Sequence, residues 1–573
     1  VFTLEYKPVK GLSLRAVGGA NILDGQKKEW RRAYGKYGVD GLISTAFGQK
    51  SPNSVTQNNS HRQYLTGQLI AEYKGVFGKH DINVLGGWSA EENLYEDLQG
   101  KRTNIVGNEL PALNLGDTDG WSNAADENEW ALLSGFMRAS YAFAAKYLVE
   151  VNFRADASSR FSKKNRWGVF PSASVGWRIT EEKFMQNQHI FDNLKLRASW
   201  GQLGNQNGLG LYDHIASYNI NGYYPFKSEL GQWAVISKLP SESRTWETVE
   251  VKNIAVDMAF LRNRLTVTGE YFIKKNKDML VSIEIPSIIG IDVPTGNYGE
   301  LKVKGWEVTV GWQDKIKDFS YGARFNLSDQ KDKLVDYGVE YNGFVAGVNQ
   351  KVQGYSLGSI FGYRTDGYFT SEEEGKNSAA FNKAITGVGD IKYIDKDGDG
   401  KISAPNDLEY LGTTTPRYTF GLNLTAAWKG FDLGVLLQGV GKRNFYLSSE
   451  VMNPYYATWN NFSYKMHNDY WTPENPNAAF PRYYAGANHN YQISDHWLQN
   501  AAYVRLKNLQ LGYTISPKLT KSWGIQRLRV YFSGDNLCEY SKLNDNFDPE
   551  LSDINGYVYP IMRNFSFGIN VTL

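Results

Sequence analysis

The feature that most restricts the fold of this chain is a period-two alternation of apolar and polar residues, which recurs over segments of about 8 to 13 residues. Successive side chains of a β-strand point to opposite faces, so the pattern predicts strands with one apolar and one polar face. The C-terminal segment shows it most clearly, with Phe565, Phe567, Ile569, Val571 and Leu573 alternating with Asn564, Ser566, Gly568, Asn570 and Thr572. The sequence therefore predicts an all-β chain.

The links between the predicted strands alternate between short and long. Short links lie at Lys7–Gly11, Lys74–Lys79, Ala144–Lys146, Leu261–Asn263, Asp314–Lys317 and Lys429–Gly430, with somewhat longer ones at 180–193 and 515–525. Long loops lie near 21–60, 91–129, 157–168, 203–243, 278–301, 331–416, 442–499 and 538–561. Such loops are uncommon in compact soluble domains, whereas a membrane barrel has one short-turned and one long-looped side. We therefore predict a transmembrane antiparallel β-barrel, of which roughly seventeen strands are present.

Composition excludes several other classes. The chain has 573 residues, with 62 basic and 60 acidic side chains, and this balance predicts no nucleic-acid partner. Aromatic residues make up 14% of the chain, which is too many for a disordered polymer. The single cysteine, Cys538, leaves no intrachain disulfide. No segment approaches the roughly 18 consecutive apolar residues of a transmembrane helix.

The direction of the strands predicts that this chain is the C-terminal part of a longer barrel. If the last strand ends in the periplasm, the first predicted strand also runs toward the periplasm, into the short Lys7–Gly11 turn. A closed barrel with an even number of strands and both termini in the periplasm begins in the other direction. We therefore expect an odd number of strands, and any export signal, to precede Val1.

The main alternative fold is a secreted β protein such as a propeller or tandem sandwiches. A propeller would show a repeat of about 40 to 50 residues, and the sequence has no such repeat. The alternation of short and long links favours the membrane barrel over both.

Several motifs resemble those of the SusC/RagA-type TonB-dependent transporters of Bacteroidetes outer membranes. The stretch from Tyr147 to Asn205 contains FRADASSRFSKKNRWGVFPSASVGWRIT and NLKLRASWGQLGN, which are similar to the signature region of that family. Further segments follow in the family's order: TWETVEVKNIAVD from Thr245, GELKVKGWEV from Gly299, GYRTDGYF from Gly362, GDIKYIDKDGDGKI from Gly389, YWTPENPNAAFPR from Tyr470, YVRLKNLQLGY from Tyr503 and DNFDPEL from Asp545. The resemblance extends over nearly the whole chain.

This resemblance implies a barrel of about 22 strands, with residues 1–573 forming its C-terminal part as one domain. It places the plug domain and about five strands outside this chain, and it makes 331–416 a long extracellular loop. It implies energised import of oligosaccharides or oligopeptides across the outer membrane, with TonB acting through parts outside this chain. A SusD-like surface lipoprotein would form the lid, two such pairs would form a dimer, and membrane lipid would surround the wall. Polar residues such as Glu150, Arg154, Glu270 and Arg529 would face the lumen.

Two other functions are weighed against import. A passive pore or scaffold within a larger outer-membrane complex would be favoured if the whole protein had no plug domain and no TonB box. An outer-membrane enzyme would need a Ser/His/acid set, and the sequence supplies none, so we predict that the chain is not an enzyme.

The segment DKDGDGKIS contains one candidate metal site. Asp395, Asp397 and Asp399 stand at alternate positions as in the first half of an EF-hand loop, followed by the Lys401 carbonyl and by Ser403. Asn406 replaces the usual bidentate Glu, so we expect weaker binding than in a calcium sensor. The predicted ion is Ca²⁺, or Mg²⁺ in its place, with the structural role of stiffening the loop. The alternative is a turn that the Asp side chains stabilise without metal.

Aromatic residues in the long loops are candidate substrate contacts. The selected residues are Tyr223, Tyr224, Tyr455, Tyr456 and Trp459. Aromatic faces pack on sugar rings and on peptide side chains. Tyr and Trp near strand ends also form the aromatic girdles of membrane barrels, and this alternative applies to every residue close to a strand.

Two further motifs carry no predicted chemistry. Gly354–Gly358 matches the G-x-S-x-G nucleophile pattern but lacks the strand, turn and helix that this motif needs. The seven histidines are scattered, without a second ligand at zinc-binding spacing.

Overall fold

Antiparallel strands make up most of the structure, a computed structural model that describes residues 1–33, 52–107, 109–226, 229–282, 288, 295–338, 344–447, 449–456, 465–544, 546–551, 559 and 561–573. Within these ranges, seventeen strands are assigned to one large antiparallel sheet, which agrees with the number predicted from the sequence. In this described part of the chain, no helix is both long and apolar enough to cross a membrane.

The described part of residues 1–338 contains fourteen strands, most of them long. They are β1 (Phe2–Tyr6), β2 (Leu12–Arg31), β3 (Ser54–Phe77), β4 (His80–Thr103), β5 (Ser122–Phe143), β6 (Tyr147–Ser158), β7 (Trp167–Arg178), β8 (Phe191–Asn205), β9 (Ser217–Phe226), β10 (Glu229–Lys238), β11 (Glu247–Phe260), β12 (Leu265–Val281), β13 (Gly296–Ile316) and β14 (Phe319–Tyr337).

The described part of residues 344–573 mixes short strands, three short α-helices and the last long strands. The elements are β15 (Gly347–Gln350), β16 (Ser359–Tyr363), β17 (Thr365–Tyr368), α1 (Glu372–Asn377), β18 (Ile391–Tyr393), β19 (Leu408–Thr413), β20 (Arg417–Trp428), β21 (Phe431–Lys442), β22 (Asn444–Tyr446), α2 (Ser449–Met452), β23 (Leu498–Asn500), β24 (Tyr503–Thr514), α3 (Pro517–Thr520), β25 (Arg527–Ser541) and β26 (Asn564–Thr572).

The chain divides into two compact units. The first comprises Val1–Ser174, Gly201–Thr248 and Ser282–Asn297. Within it, β1 to β6 pair in chain order, each antiparallel to the next. The β3–β4 ladder runs from Ser54 opposite Thr103 to Phe77 opposite His80. β9 and β10 form a separate two-stranded hairpin.

The second unit comprises Val175–Trp200, Val249–Val281 and Tyr298–Leu573. Within it, β13, β14, β20, β21, β24, β25 and β26 pair antiparallel in that order. The two long insertions in this series form small sheets of their own, namely β15–β16–β19, β17–β18 and β22–β23. These insertions lie after β14 and after β21.

The two insertions share a hydrophobic core, and we call the described residues of 344–413 and 443–501 the loop module. Its buried apolar side chains are Tyr363, Ile391, Tyr393, Ile402, Leu408, Phe445, Tyr446, Leu447, Val451, Met452, Phe480, Tyr491, Trp497 and Ala501, with Leu543 packed against them. Each large apolar side chain stabilises such a core by about 1.5–3 kcal/mol on burial. The long predicted loop 331–416 is therefore largely folded, and it begins inside β14.

Three of the predicted short turns have the predicted bounds, whereas the predicted links Lys74–Lys79 and Asp314–Lys317 are shorter in the structure, because β3 continues to Phe77 and β13 to Ile316. Lys7–Gly11, Ala144–Lys146 and Lys429–Gly430 each lie directly between two consecutive strands. Gly11 shows the local constraint, because its φ is +88° and a Cβ there would lie 2.3 Å from the Lys74 carbonyl oxygen. Only glycine fits such a position without displacement of the backbone.

The predicted boundaries of the long loops near 21–60 and 91–129 are wrong at both ends, because the flanking strands extend into these ranges. β2 continues to Arg31 and β3 begins at Ser54, while β4 continues to Thr103 and β5 begins at Ser122. Most side chains of these extensions are polar, and apolar residues such as Ile22, Leu23 and Leu98 occur on either face, so the alternation that indicates a strand disappears. The ladder continues because its hydrogen bonds join backbone groups and need no apolar side chain.

The two faces of the long strands differ as the sequence predicts, and β26 illustrates this. On its apolar face, Phe567 is 82% exposed and lies opposite Phe532 of β25. On the other face, Ser566 lies opposite Ser533. A water-soluble sheet would bury its apolar face, whereas the apolar residues Phe565, Phe567 and Ile569 of β26 are exposed here. This arrangement is typical of a wall that faces lipid.

The apolar face of β26 provides a direct test of membrane exposure. We expect Phe567→Lys to reduce the free energy of unfolding by about 2–4 kcal/mol, because a lysine would enter the hydrocarbon region. The matched change on the opposite face, Ser566→Lys, should cost no more than about 0.5 kcal/mol. Urea unfolding of the whole protein in lipid vesicles, followed by heat-modifiable gel migration, measures both. Equal effects of the two lysines would contradict the assignment of the faces.

Candidate functional site

The polar face of the wall in the first unit is held by side-chain hydrogen bonds. Arg154 Nε donates to both carboxylate oxygens of Asp156, at 2.8 and 2.9 Å, and its Nη2 donates to Ser134 Oγ at 3.0 Å. Glu150 accepts from Ser140 Oγ at 2.8 Å and from Asn152 Nδ2 at 3.1 Å. Glu150 and Arg154, predicted to face the lumen, therefore lie on this polar face.

The second unit repeats this arrangement with other residues. Arg197 links two strands, with its Nε 3.1 Å from Asp257 and its Nη2 2.9 Å from Glu270. Arg529 Nε donates to Asp432 at 2.9 Å. These partly exposed ion pairs contribute only about 0–1 kcal/mol each to stability. Their main consequence is a hydrophilic surface, and it includes the predicted lumen residues Glu270 and Arg529.

The three aspartates of the candidate metal segment lie close together. One carboxylate oxygen from each of Asp395, Asp397 and Asp399 lies within 4.8 Å of the others. Asp395 accepts the backbone N–H groups of Gly398 and Gly400, each at 2.8 Å. The Gly400 N–H is the main cause that lowers the pKa of Asp395. Three carboxylates in a tight turn form a suitable oxygen ligand set for Ca²⁺.

The hydrogen bonds of the same segment also fit the alternative, which is a turn without metal. The Lys401 N–H donates to Asp399 at 2.8 Å, and the Asp399 N–H donates to Asp397 at 3.2 Å. Such bonds stabilise an aspartate-rich turn without an ion. Ser403 contributes its N–H to Asp407, at 2.7 Å. The geometry is therefore compatible with both interpretations.

Asp407 is a structural residue that the sequence reasoning missed. Its side chain is 1% exposed, and it accepts the N–H groups of Lys396 and Ser403 at 2.8 and 2.7 Å. One buried carboxylate thus ties together the two ends of the candidate metal segment. The motif spacing gave no signal for this role, because Asp407 lies one position beyond the last expected ligand.

The second missed residue is Asp390 in the loop module. Its side chain is fully buried, and it accepts from Asn490 Nδ2, Tyr484 Oη and the Gly387 N–H, each at 2.9 Å. His489 Nε2 lies 3.3 Å away. A buried carboxylate is stable only when its oxygens are satisfied in this way. Asp390 therefore fixes the first insertion of the loop module to the second.

Part of the predicted aromatic cluster comes together in the loop module. Tyr483 packs against Tyr455 and Tyr470, with ring centroids 5.8 and 5.3 Å apart. Tyr455 and Tyr456 are both exposed. Beneath them, His467 is buried against Phe480, and this burial lowers the pKa of His467. Trp459 lies outside the described residues.

The other two predicted aromatic residues lie apart, on the β9–β10 hairpin of the first unit. Tyr223 and Tyr224 are 68% and 58% exposed, and they point to opposite faces of the hairpin. Further exposed apolar side chains surround them on both strands, namely Tyr218, Ile220, Leu230, Trp233, Val235 and Ile236. The hairpin therefore exposes apolar side chains on both of its strands.

The Gly354–Gly358 motif lies between β15 and β16 of an antiparallel sheet. Ser356 Oγ donates to Asp332, and the Leu357 N–H donates to the same carboxylate at 2.8 Å. Ser356 therefore stabilises a turn, which agrees with the prediction that this motif has no role as a nucleophile.

Comparison with known proteins gives consistent results. The model of the family "TonB dependent receptor-like, beta-barrel" matches residues 3–537. TonB-dependent receptor P26 of Formosa agariphila is 30% identical over 530 residues, which cover 87% of this chain and 52% of the relative. TonB-dependent receptor SusC of Bacteroides thetaiotaomicron is 28% identical over 463 residues, which cover 77% of this chain and 43% of SusC. The chain thus spans about half the length of the curated relatives it matches.

One solved structure supports the fold over the whole length. The structure of the RagAB peptide transporter superposes with a TM-score of 0.83 at 23% identity, and the match covers 99% of this chain and 61% of that chain. At this level of identity the likeness shows the fold alone. The matched proteins are receptors or transporters by name, in agreement with the prediction that this chain is not an enzyme.

We propose that the Asp395–Asp397–Asp399 cluster binds Ca²⁺ in a structural role, with Kd on the order of 10⁻⁴ to 10⁻³ M because a bidentate Glu is missing. Isothermal titration of the whole protein with CaCl₂ should show this binding. Asp397→Asn should abolish it, and Glu373→Gln, an exposed acid of α1, should leave it unchanged. The absence of calcium-dependent heat in the unsubstituted protein would establish the metal-free turn instead.

The ion pair between Glu374 and Lys392 predicts that the loop module is less stable at acid pH. Glu374 accepts the Thr370 N–H at 2.9 Å and the Lys392 ammonium at 3.0 Å, and these bonds lower its pKa to about 2. A lowered carboxyl pKa contributes stability above the ordinary value near 4.5, and this stability is lost as the pH falls toward 2. Hydrogen-exchange protection of residues 370–393 should therefore fall between pH 5.5 and pH 2.5.

The control for this ion pair is Glu373, the exposed neighbour of Glu374. Glu374→Gln should lower the protection at pH 5.5 and remove most of its pH dependence, whereas Glu373→Gln should retain the original profile. A pH profile that is unchanged in Glu374→Gln would show that other groups cause the acid sensitivity.

Proposed function

Because the chain belongs to the TonB-dependent receptor-like β-barrel family, we propose that it forms much of the wall of an outer-membrane importer. The observation that carries this proposal is the pair of unlike faces on the long strands. One face exposes Phe565, Phe567 and Ile569 of β26, and the other carries hydrogen-bonded polar groups such as Arg529 with Asp432. A wall with lipid outside and water inside requires this arrangement.

The proposed cargo is an oligosaccharide or an oligopeptide, taken up in a TonB-dependent manner. Import would use parts of the whole protein that this chain does not include. Two matched proteins support this choice: one bears the name TonB-dependent receptor SusC, and the other is the RagAB peptide transporter. The exposed tyrosines of the loop module, Tyr455 and Tyr456, provide surfaces on which either cargo could pack.

A SusD-like lipoprotein is the proposed lid, and the β9–β10 hairpin is the proposed contact. The hairpin lies in the long link between β8 and β11, which belongs to the long-looped, extracellular side. It exposes apolar side chains on both faces, including Tyr218, Tyr224 and Leu230. Exposed apolar patches of this kind commonly mark protein interfaces. Two importer–lid pairs would then associate as a dimer.

The function is tested on the native complex. The whole protein is purified from its own membranes, and mass spectrometry identifies the partner proteins and the bound ligand. We expect a surface lipoprotein in the complex and uptake of the ligand that depends on both proteins and on TonB. If cells that lack this protein took up the ligand at the same rate as cells that contain it, import would be contradicted. The passive scaffold would then remain as the function.

The hairpin contact is tested by substitution. The double variant Tyr223→Ser/Tyr224→Ser should lower the affinity for the lipoprotein by about tenfold or more, because buried tyrosines are frequent hot spots of interfaces. Tyr147→Ser is the matched control, because Tyr147 is also exposed but follows a short turn on the opposite side. Measurement by surface plasmon resonance with immobilised lipoprotein compares the variants. An unchanged affinity in the double variant would exclude the hairpin as the contact.

A further inference from the structure

An aromatic and polar patch lies on the polar face of the first unit, and it contains none of the candidate site residues that the sequence analysis selected. Its first cross-strand row is Tyr64 of β3, Asn93 of β4 and Trp130 of β5. Its second row is Arg62, Tyr95 and Asn128, from the same three strands. We call these six side chains the β3–β5 patch.

The rings of the β3–β5 patch are organised by direct contacts. The centroids of Tyr64 and Trp130 are 6.0 Å apart, with the ring planes inclined by 45°. The Arg62 guanidinium lies over the Tyr95 ring at 5.3 Å, and the Arg160 guanidinium lies over Trp130 at 5.8 Å. Both contacts fall within the range of cation–π attraction. The rings therefore have defined positions before any ligand binds.

The patch is not part of a lipid-facing aromatic girdle. Its residues alternate with Leu65 and Leu133, which are exposed on the apolar face of the same strands. Consecutive side chains of a strand point to opposite faces, so Tyr64 and its neighbours belong to the polar face. In a barrel of this family that face lines the lumen.

The polar groups around the rings are suited to hydroxyl groups. Tyr64 Oη donates to Glu91 at 2.7 Å, which leaves the second oxygen of this carboxylate as a further acceptor. Asn93 stands between the two rings of its row, and Asn128 stands beside Tyr95. Amides, a carboxylate and guanidinium groups together offer both donors and acceptors. A sugar ring presents both kinds of hydroxyl contact, as well as apolar C–H faces that pack on aromatic rings.

A peptide is less well matched to this position. Extended peptides are commonly bound by main-chain hydrogen bonds to a free strand edge. At the rows of the patch, β3 and β4 are paired on both sides, whereas the β5–β6 ladder begins only at Leu132. Beside Trp130 the outer edge of β5 is capped instead, because the Glu129 N–H donates to Tyr212 Oη and the Ala131 N–H donates to Ser159 Oγ, each at 3.0 Å. Recognition at the patch therefore depends on side chains alone, and their chemistry favours a carbohydrate.

We propose that the β3–β5 patch is a subsite for a sugar ring of a neutral oligosaccharide, with Trp130 and Tyr64 as the packing surface. The assignment rests on the proposed import function, because a ligand reaches this face only through the lumen. Asn93 and Glu91 hydrogen-bond the ring hydroxyls. The guanidinium groups of Arg62 and Arg160 hold the rings in place.

The test measures binding to the whole protein in detergent by isothermal titration calorimetry. The probes are maltohexaose, cellohexaose, xylohexaose and mannohexaose, with hexaalanine as the peptide probe. We expect at least one hexaose to bind, Trp130→Ala to weaken it by about tenfold or more, and Trp130→Phe to weaken it by a smaller factor. Trp88→Phe is the matched control, because Trp88 lies on the apolar face of β4 and should leave binding unchanged.

Two results would overturn the subsite. One is that no hexaose binds, or that only hexaalanine binds. The other is that hexaose affinity is the same in Trp130→Ala and in the unsubstituted protein. Heat-modifiable migration on a gel checks that each variant is folded, and Asn93→Ala takes the place of Trp130→Ala if the latter fails this check. Retention of the lipoprotein lid is measured in the same samples, so a failure of the subsite is distinguished from a failure of the import function.

Discussion

The structure depends on the requirement that backbone N–H and C=O groups be satisfied within the sheet wherever the wall meets hydrocarbon. Water is absent there, and an unpaired backbone group would cost several kcal/mol. The consecutive antiparallel ladders of β1 to β6, and of β20, β21, β24, β25 and β26, meet this requirement. With the backbone satisfied, the side chains are free to differ between faces. The exposed Phe567 and the hydrogen-bonded Arg529 follow from this one constraint.

The loop module differs from the wall, because it folds in water and therefore needs a hydrophobic core of its own. Its apolar residues come from two insertions that are far apart in the sequence, and Asp390 joins them through Asn490 and Tyr484. The calcium candidate segment is fixed to the same body by Asp407. The loop module presents Tyr455 and Tyr456 at its surface. Within the described residues, these insertions therefore have a packed core of their own.

Much of the wall could be predicted from the sequence, because alternation and turn chemistry are local. The turns at Lys7–Gly11 and Ala144–Lys146 are predictable directly, and Glu150 and Arg154, which the sequence predicts to face the lumen, lie on the polar face. The strand extensions beyond the apolar band were missed because their two faces are alike. The roles of Asp390 and Asp407 were missed because their partners are brought together only by folding. The β3–β5 patch was missed for the same reason, since Tyr64 and Trp130 are 66 positions apart in the sequence.

The sequence by itself determined the fold class, the alternation of short and long links, and the family through its motifs. This was possible because the two faces of a strand appear in the sequence as a period-two alternation of side chains. In the same way, a turn with a positive φ requires a residue such as Gly11. The tertiary structure alone decided which residues meet across strands and insertions. Register sets these meetings, and it places Asn93 between Tyr64 and Trp130 without any local sign in the sequence. The composition of the β3–β5 patch therefore depends on the pairing of strands, whereas the wall depends on each strand's own pattern.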